Sequence, residues 1–205
     1  MGNALKDQGK LGEAIASYNK ALSLKPDDLN AHVNMGNTLQ KQGKLGEAIA
    51  SYNKALSLKP DYADVYNNKG AALKDQGKLE EAVEAFKKAM SLKPNYAEAY
   101  NNFGLTLHEQ GKMEEALDAY NKALAIKPDY SQAYSNMGLT FEDQGKMEKA
   151  IEVYNKALAI KPDYAAAWLN GAETLEKWNK LEQLDLWLER AFQILEPVPS
   201  DIILM

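Results

Sequence analysis

Asparagine recurs at Asn34, Asn68, Asn102, Asn136 and Asn170, one every 34 residues. A carboxamide carries donor and acceptor together, so a line of them can pair with the N–H and C=O of an extended peptide without reading its side chains. Asparagine is also a mediocre helix former, costing up to ~0.7 kcal/mol against alanine in a helix interior, so such a line needs a reason. Numbering each 34-residue unit so that residue 29 is position 1, these asparagines occupy position 6. Neighbouring positions have drifted. Position 5 runs Val33, Asn67, Asn101, Ser135, Leu169, and position 9 runs Asn3, Asn37, Ala71, Leu105, Leu139, Glu173.

Other residues that do chemistry elsewhere have ordinary roles here. His32 and His108 lie far apart, at positions 4 and 12 of different units, with no HExxH-like pair; His32 replaces a packing aromatic and reads as core. Paired carboxylates such as Glu80-Glu81 and Glu114-Glu115 open helices, where they suit the helix dipole. Gly9-Lys10 has the wrong spacing for a phosphate loop. There is no cysteine, which removes thiolate nucleophiles, disulfides and cysteine-based metal sites. No catalytic residue, metal site or cofactor is expected.

The elements that hold these residues follow from the same period. Glycine recurs at Gly2, Gly36, Gly70, Gly104 and Gly138 and again at Gly9, Gly43, Gly77, Gly111 and Gly145, while proline keeps step at Pro26, Pro60, Pro94, Pro128 and Pro162. Residues 8–26 and 42–60 are identical, QGKLGEAIASYNKALSLKP. Within a unit, Tyr100, Phe103, Gly104 and Leu107, then Met113, Ala116, Leu117, Tyr120, Ala123 and Leu124, keep helical spacings of three and four. Gly111 ends the first helix and Pro128 the second. Each unit is a helical hairpin, and a lone hairpin cannot hide its apolar face, so stability becomes a sum over stacked units.

This 34-residue pattern resembles the tetratricopeptide repeat. In residues 63–96 it rests on Tyr66, Gly70, Leu73, Ala82, Phe86, Ala89 and Pro94, with Lys69 departing at a usually apolar position. The resemblance implies an all-α, right-handed superhelical solenoid of helix-turn-helix repeats that binds protein or peptide partners in a concave groove. One array is expected over 1–205, with a partial unit 1–28, units 29–62, 63–96, 97–130 and 131–164, a divergent unit 165–198, and the start of a further helix at 199–205. The asparagine line is similar to that in the repeat superhelix of O-linked N-acetylglucosamine transferases. The expected peptide-binding set is Asn34, Asn68, Asn102, Asn136 and Asn170 with Asn3, Asn37, Asn67, Asn101, Leu105, Leu139, Asp64 and Glu98. The family's carboxylate clamp for chaperone tails is not matched, because Asp64 and Glu98 stand where it wants a base.

Leu105, Leu139 and Ala71 give the groove an apolar strip. Asp64, Glu98, Glu109, Glu142, Asp143, Glu173 and Glu176 make it acidic, so the expected ligand is extended, apolar and basic. Net charge is −5 with no basic run, which argues against nucleic acid. No stretch has the roughly 18 apolar residues of a membrane span, and a cytoplasmic location is expected. The chain reads as cut from a longer array. Two alternatives accompany the scaffold reading: the array is the substrate-recruiting arm of an enzyme such as a glycosyltransferase, or Ile202, Ile203, Leu204 and Met205 cover the open helix face of another copy in a head-to-tail homo-oligomer. In the sixth unit the pattern's residues are expected to become Ala172, Asn179, Leu184 and Leu188, with Trp168, Trp178 and Trp187 nearby.

Overall fold

The structure, a computed structural model, describes residues 2–195. The expected further helix at 199–205, and with it the contact through Ile202 to Met205, lies outside the described residues. Twelve α-helices and no strand occur among those described, so the fold is all-α and of the helical-repeat solenoid class. In chain order they are α1 (Gly2–Asp7), α2 (Leu11–Leu24), α3 (Leu29–Lys41), α4 (Leu45–Leu58), α5 (Ala63–Asp75), α6 (Leu79–Leu92), α7 (Ala97–Glu109), α8 (Met113–Ile126), α9 (Ser131–Asp143), α10 (Met147–Ile160), α11 (Ala165–Lys177) and α12 (Leu181–Leu195), and α1 pairs with α2, α3 with α4, α5 with α6, α9 with α10 and α11 with α12.

The chain divides into two compact units, Met1–Gln110 and Gly111–Met205. In the first, α1 through α7 pack successively, and the odd-numbered helices α3, α5 and α7 also touch in sequence. In the second, α8 through α12 pack successively and α9 touches α11.

The turn inside each hairpin is a glycine stop. Gly43 has φ 74°, its N–H donates to Gln40 at 2.9 Å, and the Lys44 N–H reaches the Leu39 carbonyl at 3.0 Å. That five-residue reach satisfies carbonyls the helix leaves orphaned. Asn179 takes the same conformation in the last hairpin, φ 55°, as asparagine can. Entry into the first helices relies little on side-chain caps. Among the N-caps of α3, α5, α7, α9 and α11, the Asp28 side chain alone accepts a backbone N–H, that of Ala31 at 3.0 Å. The equivalent residues Tyr62, Tyr96, Tyr130 and Tyr164 instead lie under Lys59, Lys93, Lys127 and Lys161, with ammonium-to-ring distances of 4.7, 4.1, 4.9 and 5.4 Å.

Gly36 faces Tyr52, Gly70 faces Phe86 and Gly138 faces Tyr154, a glycine against an aromatic ring inside each of these hairpins. Tyr52, Phe86, Tyr120 and Tyr154 are fully buried, flanked by fully buried alanines such as Ala48, Ala55, Ala82 and Ala89. The sixth hairpin corrects the sequence reading: Gly171, not Ala172, faces the ring, and the ring is Trp187, while Leu188 is 49% exposed. Glycine and aromatic have moved together by one residue, which preserves their contact. The Trp187 indole N–H donates to the Trp168 carbonyl at 2.8 Å, and the two rings meet edge to face at 5.0 Å.

Candidate functional site

The first helices of successive hairpins carry the candidate positions. Asn34, Asn68, Asn102 and Asn170 are half-buried; Asn136 is buried, 8% exposed. Four threonines at position 10 sit under this line. Thr38, Thr106, Thr140 and Thr174 are fully buried; the first three donate to the carbonyls of Asn34, Asn102 and Asn136 at 2.8, 2.8 and 3.1 Å, and the Thr174 hydroxyl lies 2.9 Å from the Asn170 carbonyl. Hydroxyls of this kind occupy a second lone pair of the helix carbonyl and bend helices slightly. The sequence held a signal for them, since threonine recurs at four of the position-10 sites.

Within the first unit the asparagines bond to one another across hairpins. The Asn68 amide donates to Asn37 Oδ1 at 3.0 Å, and that oxygen also accepts the Tyr52 hydroxyl at 2.8 Å. The Asn102 amide donates to Asn67 Oδ1 at 3.1 Å, Asn67 donates to Glu98 at 3.3 Å, and Asn101 donates to Asn102 Oδ1 at 3.4 Å. Asn3 accepts the Tyr18 hydroxyl at 2.6 Å.

Two expectations fail on this geometry. Asn67 and Asn101 are 1% and 0% exposed; Asn67 is a connector held between α5 and α7, and neither presents surface to a ligand. The acidic strip is also smaller than its sequence suggests. Glu142 is 8% exposed, accepts from Thr174 at 2.5 Å and pairs with Lys177. Glu109 pairs with Lys74 at 3.3 Å and Asp64 with Lys93 at 3.4 Å. Leu105 and Leu139 remain half-buried, and Asp64 and Glu98 exposed.

Titration follows the same contacts. Burial lowers the Lys74 ammonium, but Asp75 and Glu109 more than offset this and its pKa ends above the ordinary value. Glu142 holds the Lys177 ammonium in its charged form, raising its pKa. Burial raises Tyr96, with Asp64 and Glu98 adding to the effect. His32 is half-buried, with Nε2 2.8 Å from the Pro26 carbonyl, as the Trp168 indole is from the Pro162 carbonyl. It serves packing. Gln110 and Gln144 end α7 and α9, and their amides donate to Glu80 and Glu114 of the preceding hairpin, at 3.5 and 3.1 Å. Among the described residues no group of three or more His, Asp or Glu side chains is arranged to hold a metal ion. No described helix is long and apolar enough to cross a membrane.

Family models agree with this architecture. A TPR repeat model matches residues 2–43 and 36–77, and tetratricopeptide repeat models match 61–129 and 131–164. The crystal structure of MamA is similar with a TM-score of 0.71 and 30% identity, over 80% of this chain and 96% of that one. YrrB, described as a TPR protein with an unusual peptide-binding site, gives 0.64 and 30%, over 81% and 86%. PilF from Pseudomonas aeruginosa gives 0.77 at 22% identity, over 97% and 90%, a likeness of fold. No curated protein matches the sequence. The chain belongs to the tetratricopeptide-repeat family, and its repeats make it a protein-interaction scaffold.

Proposed function

We propose that this scaffold binds extended peptide segments of other proteins along the position-6 asparagines of its first helices. The observation that carries the reading is the placement of Asn34, Asn68, Asn102 and Asn170, each half-buried and each on the same position of a first helix. A half-buried carboxamide keeps its geometry and still meets a ligand. Asn68 and Asn102 each commit the amide nitrogen to a neighbouring hairpin, which holds the carboxamide in one orientation and lowers the ordering cost of binding. Leu105 and Leu139 supply apolar contact beside the line. Among the acidic positions, Glu173 and Glu176 are exposed and favour basic side chains, whereas Asp64 and Glu109 already carry lysine partners. Similarity to YrrB, whose description names a peptide-binding site, is consistent with the reading.

Each amide contact contributes only ~0.5–1.5 kcal/mol net, so micromolar affinity is expected. The test is a peptide-array screen followed by Asn68→Ala with Asn102→Ala. A loss of about tenfold or more in affinity for the best ligand, with helical content unchanged by circular dichroism, supports the proposal. Unchanged affinity in the double variant rejects it.

A further inference from the structure

At two junctions between first helices, position 12 of one hairpin pairs with position 13 of the next. In the third and fourth hairpins the pair is Lys74 with Glu109, at 3.3 Å. In the fifth and sixth it is Glu142 with Lys177, the same pair with the charges exchanged. In the first and second hairpins the two positions hold Lys6 and Lys41. Among the described residues neither lysine has a carboxylate partner.

These lysines line an open pocket of about 400 Å³ together with Asn37, Gln40 and Asn68. Asn37 Oδ1 is taken up by the Tyr52 hydroxyl and the Asn68 amide, so Asn37 Nδ2 remains as a donor. The pocket therefore offers two cations and an amide N–H, and no acidic side chain lines it. Like charges placed together repel, and an anion between them removes that cost and gains charge-assisted hydrogen bonds. A general excess of base does not account for the site, because the chain carries a net charge of −5.

We propose that the pocket formed by Lys6, Lys41 and Asn37 takes the carboxylate of an acidic residue in a bound peptide, supplying the anion that Glu109 and Glu142 supply at the equivalent points. The proposal rests on the peptide-groove reading and deepens it. It also reverses, at this end of the chain, the ligand charge that the acidic positions suggest. The lysines come from positions 12 and 13, away from positions 2 and 5, where Asp64, Glu98 and Val33 stand.

The test uses the full chain with isotope-labelled lysine side chains, followed by NMR. The probes are acetylated, amidated Ala-Ala-Asp-Ala-Ala, its Asn counterpart, and sulfate. Saturable shifts of Lys6 and Lys41 with the Asp peptide, about fivefold tighter than with the Asn peptide, support the proposal. Lys41→Glu places a carboxylate opposite Lys6, as Glu109 stands opposite Lys74, and is expected to erase that preference with helical content intact; Lys6→Gln is expected to weaken it. Equal affinity for the two peptides overturns the proposal and leaves the groove reading standing. Sulfate moving both lysines while neither peptide shifts any groove resonance overturns the proposal, because the pocket then binds a free anion and no peptide carboxylate. Shifts of equal size on every exposed lysine overturn the proposal.

Discussion

A Cβ built on Gly36 would stand 2.5 Å from Cε1 of Tyr52. The Tyr52 ring is fully buried, with its hydroxyl on Asn37 and Gln40 at 2.8 and 3.0 Å, so it cannot swing away. Gly70 stands in the same relation to Phe86, at 2.7 Å.

Gly36→Ala is accordingly expected to destabilise the first unit. Overpacking of this kind costs about 1–3 kcal/mol, offset by up to ~1 kcal/mol of helix propensity, for a net loss of about 1–2 kcal/mol. Gly12→Ala is the matched control, because nothing lies within 4 Å of its added Cβ, and it should gain ~0.5 kcal/mol. Urea denaturation reads both. Equal stability of the two variants would contradict the contact.

A second expectation concerns the turns. Gly77 has φ 78° with open space around it, so Gly77→Ala costs about 1–2 kcal/mol through backbone strain alone. Asn179 adopts φ 55°, and Asn179→Gly should leave stability within about 0.5 kcal/mol. A large loss in Asn179→Gly would mean that its side chain, and not its backbone, holds the turn.

The hairpins, their ends and the face bearing the asparagines were legible because each depends on local spacing. Gly43 and Pro60 mark turns wherever they fall, and position 6 keeps its angle around any α-helix. The pairing of Asn68 with Asn37 and the burial of Asn67 were not, since they depend on how closely consecutive first helices approach, and a period of 34 says nothing about that distance. Position 5 drifts between Val33, Asn67 and Leu169, which reads as freedom on a solvated face. In fact Asn67 is a buried connector and Asn101 is buried as well, while Leu169 is 61% exposed. Glu142 failed for the same reason, its partner Lys177 being one hairpin away.

Alkaline pH should unfold the protein through its buried phenols. Tyr52 and Tyr154 are fully buried, and burial raises both pKa values well above the ordinary tyrosine range. The unfolded chain releases these protons near pH 10 while the folded chain retains them. Stability is therefore full below about pH 10 and falls as pH rises beyond it, by ~1.4 kcal/mol per pH unit for each such tyrosine. Tyr52→Phe removes one of the two and should make the fall shallower. Tyrosinate absorbance recorded with circular dichroism checks this. Ionisation of every tyrosine near pH 10 with helices intact would refute it.

The sixth hairpin provides the sharpest test of register. Counting in steps of 34 from Ala48 and Tyr52 assigns its core to Leu184 and Leu188, but the interval from glycine to ring is 16 residues in Gly36 to Tyr52, Gly70 to Phe86 and Gly138 to Tyr154, and the same interval from Gly171 reaches Trp187. Trp187 is 5% exposed, packs on Trp168 and donates its indole N–H to a backbone carbonyl, while Leu188 is 49% exposed. Trp187→Ala should cost about 3–5 kcal/mol through the cavity and the lost bond, and Leu188→Ala less than about 1 kcal/mol. Denaturation of the two variants, followed by the fluorescence of the remaining tryptophans, distinguishes the registers, because a core built on Leu188 would reverse the order of the two losses.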